Sequence, residues 1–204
     1  MGRYIGSKHK LCRRVGEKLC TSDKCPSTRR PFAPGAHGPT AGRIKLTSYG
    51  IQHLEKQKAR WVYGLLERQF ENYVEKSVAK TGDSGENLLR YLEGRLDNVA
   101  YRLGFAKTRD QARQAITHGW FKVNGKKLTI PSYQVRIDDT IEFNFTKAKS
   151  AVTEVMKAIL EKNETPRWLS YDKSSAVGKV LSVLKKDDVQ TNFDTKLIIE
   201  FYSR

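Results

Sequence analysis

Four residues near the start of the chain have side chains that could bind a metal ion. Two residues separate His9 from Cys12 and four separate Cys20 from Cys25, so two close pairs offer one imidazole and three thiolates. This is a complete tetrahedral ligand set for zinc, and a segment without a hydrophobic core needs such a cross-link to hold its shape. We expect one structural zinc ion here. The alternatives are free thiols beside a histidine that faces phosphate, or, less favoured, an iron–sulfur cluster.

A second set of residues, within the range 94–145, has the chemistry to bind phosphate. Two short amphipathic helices lead into a hairpin with an Asn124-Gly125 turn, a strong two-residue hairpin signal. Arg109 and Arg113 are four residues apart, so they share a helix flank that can face one phosphate groove. We predict that this unit grips folded RNA; the alternative is a small α+β domain with solvated arginines. Its basic and aromatic residues are Arg95, Arg102, Lys107, Arg109, Arg113, Lys122, Lys126, Lys127, Tyr101, Trp120 and Tyr133.

The remaining histidines do not form a catalytic set. His37 lies in a Gly/Pro-rich loop, His53 near a helix start and His118 at a helix end, and no acid or second histidine stands at a metal-ligand spacing from any of them. The sequence has no phosphate-cradling glycine loop, nucleophile elbow or HExxH motif. We expect no enzymatic activity and no small-molecule substrate.

The net charge indicates a polyanionic partner. Lys and Arg total 38 against 22 Asp and Glu, a net charge of +16 over 204 residues. Residues 1–50 contain eleven basic residues but only Glu17 and Asp23 as acids, so this quarter of the chain carries +9. A basic surface of this kind pairs with phosphates and releases their counterions.

A membrane surface is the weaker alternative. No apolar run approaches the roughly 20 residues of a membrane span, and the opening MGRYIGSKHK lacks the apolar segment of a signal peptide. Three cysteines are an odd number, which argues against a disulfide framework. The acids Glu67, Glu71 and Glu75 on the main helix would be repelled by anionic lipid. We expect a cytoplasmic protein.

The elements that position these residues follow from hydrophobic spacing and turn signals. Residues 1–45 are rich in Gly, Pro, Arg and Lys and predict an extended basic arm that becomes ordered on its partner. Apolar residues at helical spacing predict one long helix over 51–80. Ser84-Gly85 begins the next helical stretch, which Gly94 interrupts and Gly104 ends.

The second half of the chain alternates between helix and strand signals. Thr108 caps a short helix, with Gln111 completing a capping box and a buried face formed by Ala112, Ala115 and Ile116. Strands around an Asp138-Asp139 turn are expected to contain Val135, Ile137, Ile141, Phe143 and Phe145. A last helix is marked by Val152, Val155, Met156, Ile159 and Leu160. Residues 197–202 (LIIEFY) predict a strand.

These elements predict an α+β fold. It comprises a helical N-terminal domain with a basic extended arm, and an inserted RNA-binding module of two short helices and a small antiparallel sheet. We expect the arm and zinc site at 1–45, the helical domain at 46–93 and the RNA-binding module at 94–157. Residues 158–204 are expected to form a C-terminal helix and strand that pack back on the core.

Several motifs extend over almost the entire sequence. They are MGRYIG, LCRR, APGAHG, YGIQHLEKQKAR, YGLLERQFENY, GENLLRYLEGRLDNVAYRLGF, VNG and IEFYSR. Residues 95–143 resemble the S4-type RNA-binding module, and the motifs together resemble the bacterial-type small-subunit ribosomal protein S4 family.

The resemblance implies a structural constituent of the small ribosomal subunit and a primary binder of its ribosomal RNA. Family members nucleate assembly of the 5′ domain. They later lie at the mRNA entry side near ribosomal proteins S3 and S5, where they contribute to translational accuracy. A cytoplasmic or an organellar ribosome is compatible with the sequence. Some members carry four cysteines near the metal-ligand positions; here His9 replaces the first, and the interval between the pairs is shorter.

The same resemblance implies a set of RNA-facing positions. In the arm and at the long helix they are Arg3, Tyr4, Lys8, Lys10, Arg13, Arg14, Lys45, Ser48, Tyr49, Lys56 and Arg60. In the module they are Arg95, Arg109, Arg113, His118 and Lys122.

Two other functions use the same module. S4-type modules accompany RNA-modifying enzymes, but about 60 residues after the module are too few for a catalytic domain. A free RNA-binding translational regulator would use the same surface and stays an alternative.

Overall fold

Two compact units make up the chain. The computed structural model describes residues 4–40, 45–144, 160, 165–172, 176–185, 188–189 and 191–203. The N-terminal unit consists of Met1–Leu88 together with Thr191–Arg204, and the central unit consists of Leu89–Gln190. Within the described residues, no helix is both long and apolar enough to span a membrane. The boundaries of the four segments expected from the sequence stay a prediction.

The described residues form seven helices and five strands. The helices are α1 (Lys8–Val15), α2 (Ser48–Tyr63), α3 (Glu67–Ala79), α4 (Ser84–Glu93), α5 (Leu96–Arg102), α6 (Arg109–Thr117) and α7 (Thr195–Tyr202). The strands are β1 (Phe121–Val123), β2 (Lys126–Lys127), β3 (Thr140–Phe143), β4 (Leu169–Asp172) and β5 (Val177–Val180). The predicted α+β class is confirmed.

The long helix expected over 51–80 is two helices, α2 and α3. Helix α2 begins after Thr47, whose hydroxyl accepts a hydrogen bond from the Gly50 amide at 3.2 Å. It ends at Gly64, which has a φ of 63° and donates its amide to the last-turn carbonyls. A glycine in the left-handed region commonly ends a helix. Because the apolar spacing continues on both sides of Gly64, spacing alone predicts one uninterrupted helix.

The predicted strand at 197–202 is also wrong, because these residues form helix α7. Asp194 caps α7 by accepting a hydrogen bond from the Lys196 amide at 2.8 Å. Ile198 is fully buried, and Phe201 and Tyr202 pack against aromatic rings of the same unit. The β-branched and aromatic composition favours a strand, but the capping residue and the tertiary packing override that preference.

The arm also differs from an extended segment. It contains helix α1, which ends at Gly16 with a φ of 82°. Arg13 donates to the carbonyl oxygens of Phe32 and Ala33, each at 3.2 Å, and its guanidinium lies 4.9 Å from the Phe32 ring centroid. These contacts join the end of α1 to residues 32–33, so this part of the arm folds back on itself.

In the central unit, α5 and α6 accompany an antiparallel sheet with strand order β2-β1-β3-β5-β4. The hairpin turn forms as predicted, with φ values of 51° at Asn124 and 73° at Gly125. Strands β4 and β5 were not predicted. Val135 and Ile137 lie outside the strands, whereas Ile141 and Phe143 belong to β3.

Aromatic packing forms the core beneath this sheet. Phe105 contacts Phe121, Phe143 and Tyr171 at ring-centroid distances of 5.5, 6.1 and 5.6 Å. Gly178 allows the close approach, because a Cβ there would lie 2.4 Å from a Leu103 methyl group. Phe145, Val152, Val155, Met156 and Ile159 lie outside the described residues, and Leu160 is helical and buried.

The predicted helix limits around the module are confirmed. Helix α4 ends at Glu93 and α5 begins at Leu96, so Gly94 lies at the break, and Gly104 follows α5 with a φ of 89°. Thr108 caps α6 by accepting from the Gln111 amide at 3.2 Å. The Gln111 side chain accepts from the Lys107 amide rather than from that of Thr108. The predicted face Ala112, Ala115 and Ile116 is buried.

Candidate nucleic-acid interface

A buried ion-pair network connects the start of α5 to α6. The Arg95 side chain has no exposed surface and donates to both Asp97 carboxylate oxygens, at 3.0 and 2.7 Å. Arg113 from α6 donates to the same carboxylate at 3.2 Å. Arg95 also forms an antiparallel backbone bridge with Gln134. These two arginines are buried and hold the module together, which differs from the solvent-facing position expected for them. Their contact with RNA stays a prediction.

A second network holds two arginines at the surface. Glu93 is fully buried, and its carboxylate accepts from Arg102 at 2.8 and 3.0 Å and from the Asn98 amide. The Asn98 side-chain oxygen accepts from Arg109 Nε at 2.7 Å, and the Arg109 guanidinium lies 4.6 Å from the Tyr101 ring centroid. Arg102 and Arg109 keep part of their surface exposed, so each is fixed in position while it faces solvent.

The hairpin beside α6 carries further exposed cations. Lys126 and Lys127 are exposed, Lys122 is half-buried, and His118 is exposed where α6 ends. In the sheet register, Lys122 is opposite Lys127 on one side and Glu142 on the other. The hairpin side of β1 is therefore the more positive side.

In the N-terminal unit, Glu67 pairs with two of the predicted RNA contacts. Its carboxylate accepts from Lys56 Nζ and Arg60 Nη1, both at 2.6 Å, and from the Tyr202 hydroxyl at 2.8 Å. Lys56 is almost fully buried, with Nζ 4.4 Å from the Phe201 ring centroid. Lys56 is thus occupied inside the unit, whereas Arg60 keeps 24% of its side chain exposed while Glu67 holds it in position. Their contact with RNA stays a prediction.

These contacts also change the ionisation of Glu67 and Tyr202. Burial raises the pKa of the Glu67 carboxyl, but the hydrogen bonds from Lys56 and Tyr202 and the nearby Arg60 charge lower it overall. Burial, followed by the hydrogen bond to Glu67, raises the pKa of Tyr202. Both shifts keep Glu67 ionised and Tyr202 protonated at neutral pH.

The other predicted contacts of the N-terminal unit lie at its surface. Lys10 and Arg14 are exposed and are four residues apart on α1, so they share one flank of that helix. Ser48 and Tyr49, in the first turn of α2, are also exposed. Backbone amides at a helix start and parallel cationic side chains are both groups that bind phosphate.

The structure brings three of the four predicted metal ligands together. The donor atoms of His9, Cys20 and Cys25 all lie within 4.8 Å of one another. Cys12 is fully buried, and its thiol interacts with that of Cys20 without belonging to the mutually close set. One imidazole and two thiols at this spacing could hold a metal ion, with Cys12 as the nearby candidate for the fourth position.

The two thiols of this group differ in acidity. Burial is the largest cause of the raised pKa of Cys20, which is about 11, and the neighbouring thiols of Cys25 and Cys12 add to it. Burial also raises the pKa of Cys25, but hydrogen bonding to Ser27, His9 and Cys20 lowers it to about 6. Cys25 is therefore the thiol that most readily supplies the thiolate form that metals bind.

The predicted RNA contacts thus divide into three sets. Exposed or half-buried at the surface are Tyr4, Lys8, Lys10, Arg14, Lys45, Ser48, Tyr49, Arg109, His118 and Lys122. Buried in ion pairs are Lys56, Arg95 and Arg113, whereas Arg13 and Arg60 are partly exposed and, like Arg109, donate to internal acceptors. Arg3 lies outside the described residues. Arg102 and Lys127 were recognised as basic residues of the module, but the resemblance did not place them among the contacts.

Family models cover most of the chain. The model for the ribosomal protein S4/S9 N-terminal domain matches residues 3–93, and the model for the S4 domain matches residues 94–141.

Curated relatives are similar over their whole length. The small ribosomal subunit protein uS4 of Thermotoga maritima is 48% identical, that of Dictyoglomus thermophilum 47% and that of Heliobacterium modesticaldum 46%. In each comparison all of this chain and all of the relative are covered.

Proposed function

Because this chain belongs to the uS4 family of small ribosomal subunit proteins, we propose that it is a structural constituent of the small ribosomal subunit and binds that subunit's RNA. The observation that carries the proposal is the full-length similarity to relatives with that name. The exposed cations on α1 and the hairpin, together with the half-buried Arg109 on α6, supply the matching chemistry. The relatives are named as ribosomal proteins, which agrees with the absence of enzymatic activity expected from the sequence.

The finer roles in this proposal rest on the family resemblance. The protein binds ribosomal RNA early, nucleates assembly of the 5′ domain, and then lies near the mRNA entry side beside ribosomal proteins S3 and S5. There it contributes to translational accuracy. The RNA-facing residues are the surface set of Tyr4, Lys8, Lys10, Arg14, Lys45, Ser48, Tyr49, Arg109, His118 and Lys122, to which we add Arg102 and Lys127. A translational regulator that uses the same surface off the ribosome is the alternative.

Salt dependence of RNA affinity tests the proposal. We expect the full-length protein to bind a small-subunit RNA fragment more tightly than an arbitrary duplex, with an affinity that falls steeply as salt rises. Each of Lys10→Gln and Arg14→Gln should reduce the log–log slope by about 0.9 for each lost phosphate contact. Lys76→Gln, an exposed lysine on α3 outside the proposed set, should leave the slope unchanged. Equal affinity for fragment and arbitrary duplex would contradict the proposal.

The metal-binding group is proposed to hold one zinc ion. The mutual proximity of His9, Cys20 and Cys25 supports this assignment, because a borderline-soft ion prefers thiolate and imidazole ligands. The ion would cross-link α1 to residues 20–25, a segment without regular secondary structure.

Elemental analysis of the purified protein should find close to one zinc per chain. Cys20→Ser and Cys25→Ser should each lose the metal, since both change the mutually close donor set. Thr21→Ser, an exposed change between the same two ligands, should retain it. Zinc-free wild-type protein with unaltered structure, after reconstitution with zinc has been attempted, would refute the assignment.

A further inference from the structure

Two aromatic rings form a stacked pair where α6 ends and β1 begins. The ring centroids of His118 and Trp120 are 5.8 Å apart, with an interplanar angle of 29°. The edge of the pair is supported from the core, because Trp120 meets Phe143 at 6.2 Å in an edge-to-face contact. Trp120 is half-buried and His118 is exposed. The pair therefore exposes aromatic surface to solvent while Trp120 packs against the core.

The backbone fixes the position of this pair. Gly119, between the two rings, has a φ of 72°, a conformation that favours glycine. The Trp120 amide donates to the Ala115 carbonyl at 3.1 Å, and the Trp120 carbonyl accepts from the Asn144 amide at 2.7 Å. Rings that are already ordered lose little conformational entropy when a ligand stacks on them.

Cationic side chains flank the same pair. A Cβ placed on Gly119 would lie 2.2 Å from Lys127 Cε and 2.9 Å from its Nζ, so the ammonium group packs directly against this glycine. Lys122 follows Trp120 by two residues and lies within β1. Lys122 and Lys127 are directly opposite in the register. Glu142 is opposite Lys122 on the other neighbouring strand. Its negative charge would repel a polyanion, so we expect a polyanion to bind on the hairpin side.

We propose that His118 and Trp120, flanked by Lys122 and Lys127, bind unpaired bases of single-stranded RNA by stacking. This inference rests on the proposed RNA-binding function and specifies one ligand for it. Bases within an A-form helix are stacked on one another and cannot present a face to a side chain, whereas unpaired bases can. Ordered aromatic rings beside cations are the groups that bind single strands without reading their sequence.

A labelled oligoadenylate of about 12 nucleotides is a suitable probe, because single-strand sites cover about 4–16 nucleotides. Trp120→Leu should weaken its binding by about fivefold to a hundredfold, the range for loss of one stacked base. The leucine keeps apolar contact with Phe143 but has no π face. Trp120→Phe should recover most of the affinity. Trp61→Leu, which changes a half-buried tryptophan on α2, should match wild type.

Salt dependence separates stacking from charge. Trp120→Leu should leave the log–log slope for the oligoadenylate unchanged, because no phosphate contact is lost. Lys127→Gln should reduce the slope by about 0.7, the value for one phosphate contact in a single strand.

Two results would overturn the inference. One is failure of the wild-type protein to bind the oligoadenylate. The other is equal oligoadenylate affinity for Trp120→Leu and Trp61→Leu; if Trp120→Leu then also failed to enter small-subunit particles, the surface would be assigned to a protein partner. In each case a retained preference of the wild-type protein for the small-subunit RNA fragment would leave the proposed function standing, whereas loss of that preference would contradict the function itself.

Discussion

Asp97→Ala should lower the free energy of unfolding by about 3–5 kcal/mol, the range for breaking a buried ion pair from one side. The substitution leaves Arg95, which has no exposed surface, without the carboxylate that accepts two of its hydrogen bonds. Arg113 loses its bond to the same group. Removing one partner of a buried ion pair costs far more than losing a surface contact, because the charge that stays behind is shielded from water.

Chemical denaturation of the full-length protein measures this effect, and Asp138→Asn is the matched control. Asp138 also pairs with a cation, Lys179 at 3.0 Å, but 75% of the Asp138 side chain is exposed. Exposed pairs contribute about 0–1 kcal/mol, and asparagine tolerates the φ of 68° at this position. If the two variants lost similar stability, burial would not be what makes the Asp97 network important.

Asp97→Ala should also reduce RNA affinity in the conditions where it remains folded. The network joins the beginning of α5 to α6 and to the backbone at Gln134. Without this network, α6 is no longer held in a fixed position relative to α5. Arg109 on α6 is oriented by its hydrogen bond to Asn98 on α5, so its orientation depends on that position. A variant with wild-type RNA affinity but reduced stability would show that this framework serves folding alone.

The turns and caps of this protein were predictable from sequence because they depend on neighbouring residues. Thr108 and Gln111 specify the beginning of α6, and Asn124-Gly125 specifies the hairpin. Each signal acts through backbone conformation within a few residues. The break at Gly94 was predictable for the same reason.

The errors occurred where tertiary contacts decide the outcome. Residues 197–202 have strand composition, yet burial of Ile198 and the packing of Phe201 and Tyr202 require a helix. Gly64 ends α2 because its backbone adopts a positive φ. The apolar spacing carries no information about φ, so the pattern looks continuous across this position. Local preference gives way to packing at such positions.

Which cations of the candidate interface are exposed also depends on tertiary contacts that the sequence does not reveal. A sequence counts Arg95, Arg113 and Lys56 as cations but does not reveal that Asp97 and Glu67 already pair with them. Arginine is almost never fully buried without a partner, and an aspartate two residues after Arg95 was the available signal. Fewer cations are exposed than the net charge suggests, and one of those that remain, Arg102, is held in position by the buried Glu93.

Glu67→Ala should lower the free energy of unfolding by about 1–3 kcal/mol. Lys56, Arg60 and the Tyr202 hydroxyl all donate to this carboxylate, and only Lys56 is nearly buried. The Glu67 side chain is 41% exposed, so the loss should fall below the range for a fully buried pair and above that for a surface pair. Glu75→Ala, which changes an exposed glutamate on the same helix, should have little effect.

The same contacts give the stability a defined dependence on pH. The pKa of Glu67 is lower in the folded than in the unfolded protein, so near pH 4 the unfolded chain binds more protons at this group. The stabilisation from Glu67 is therefore complete above its unfolded pKa of about 4.3, and it is lost as the pH falls through the lower folded value. Denaturation curves of wild type and Glu67→Gln should converge as the pH falls below about 4. A stability difference that stayed constant between pH 7 and pH 3 would show that Glu67 acts by packing and not by its charge.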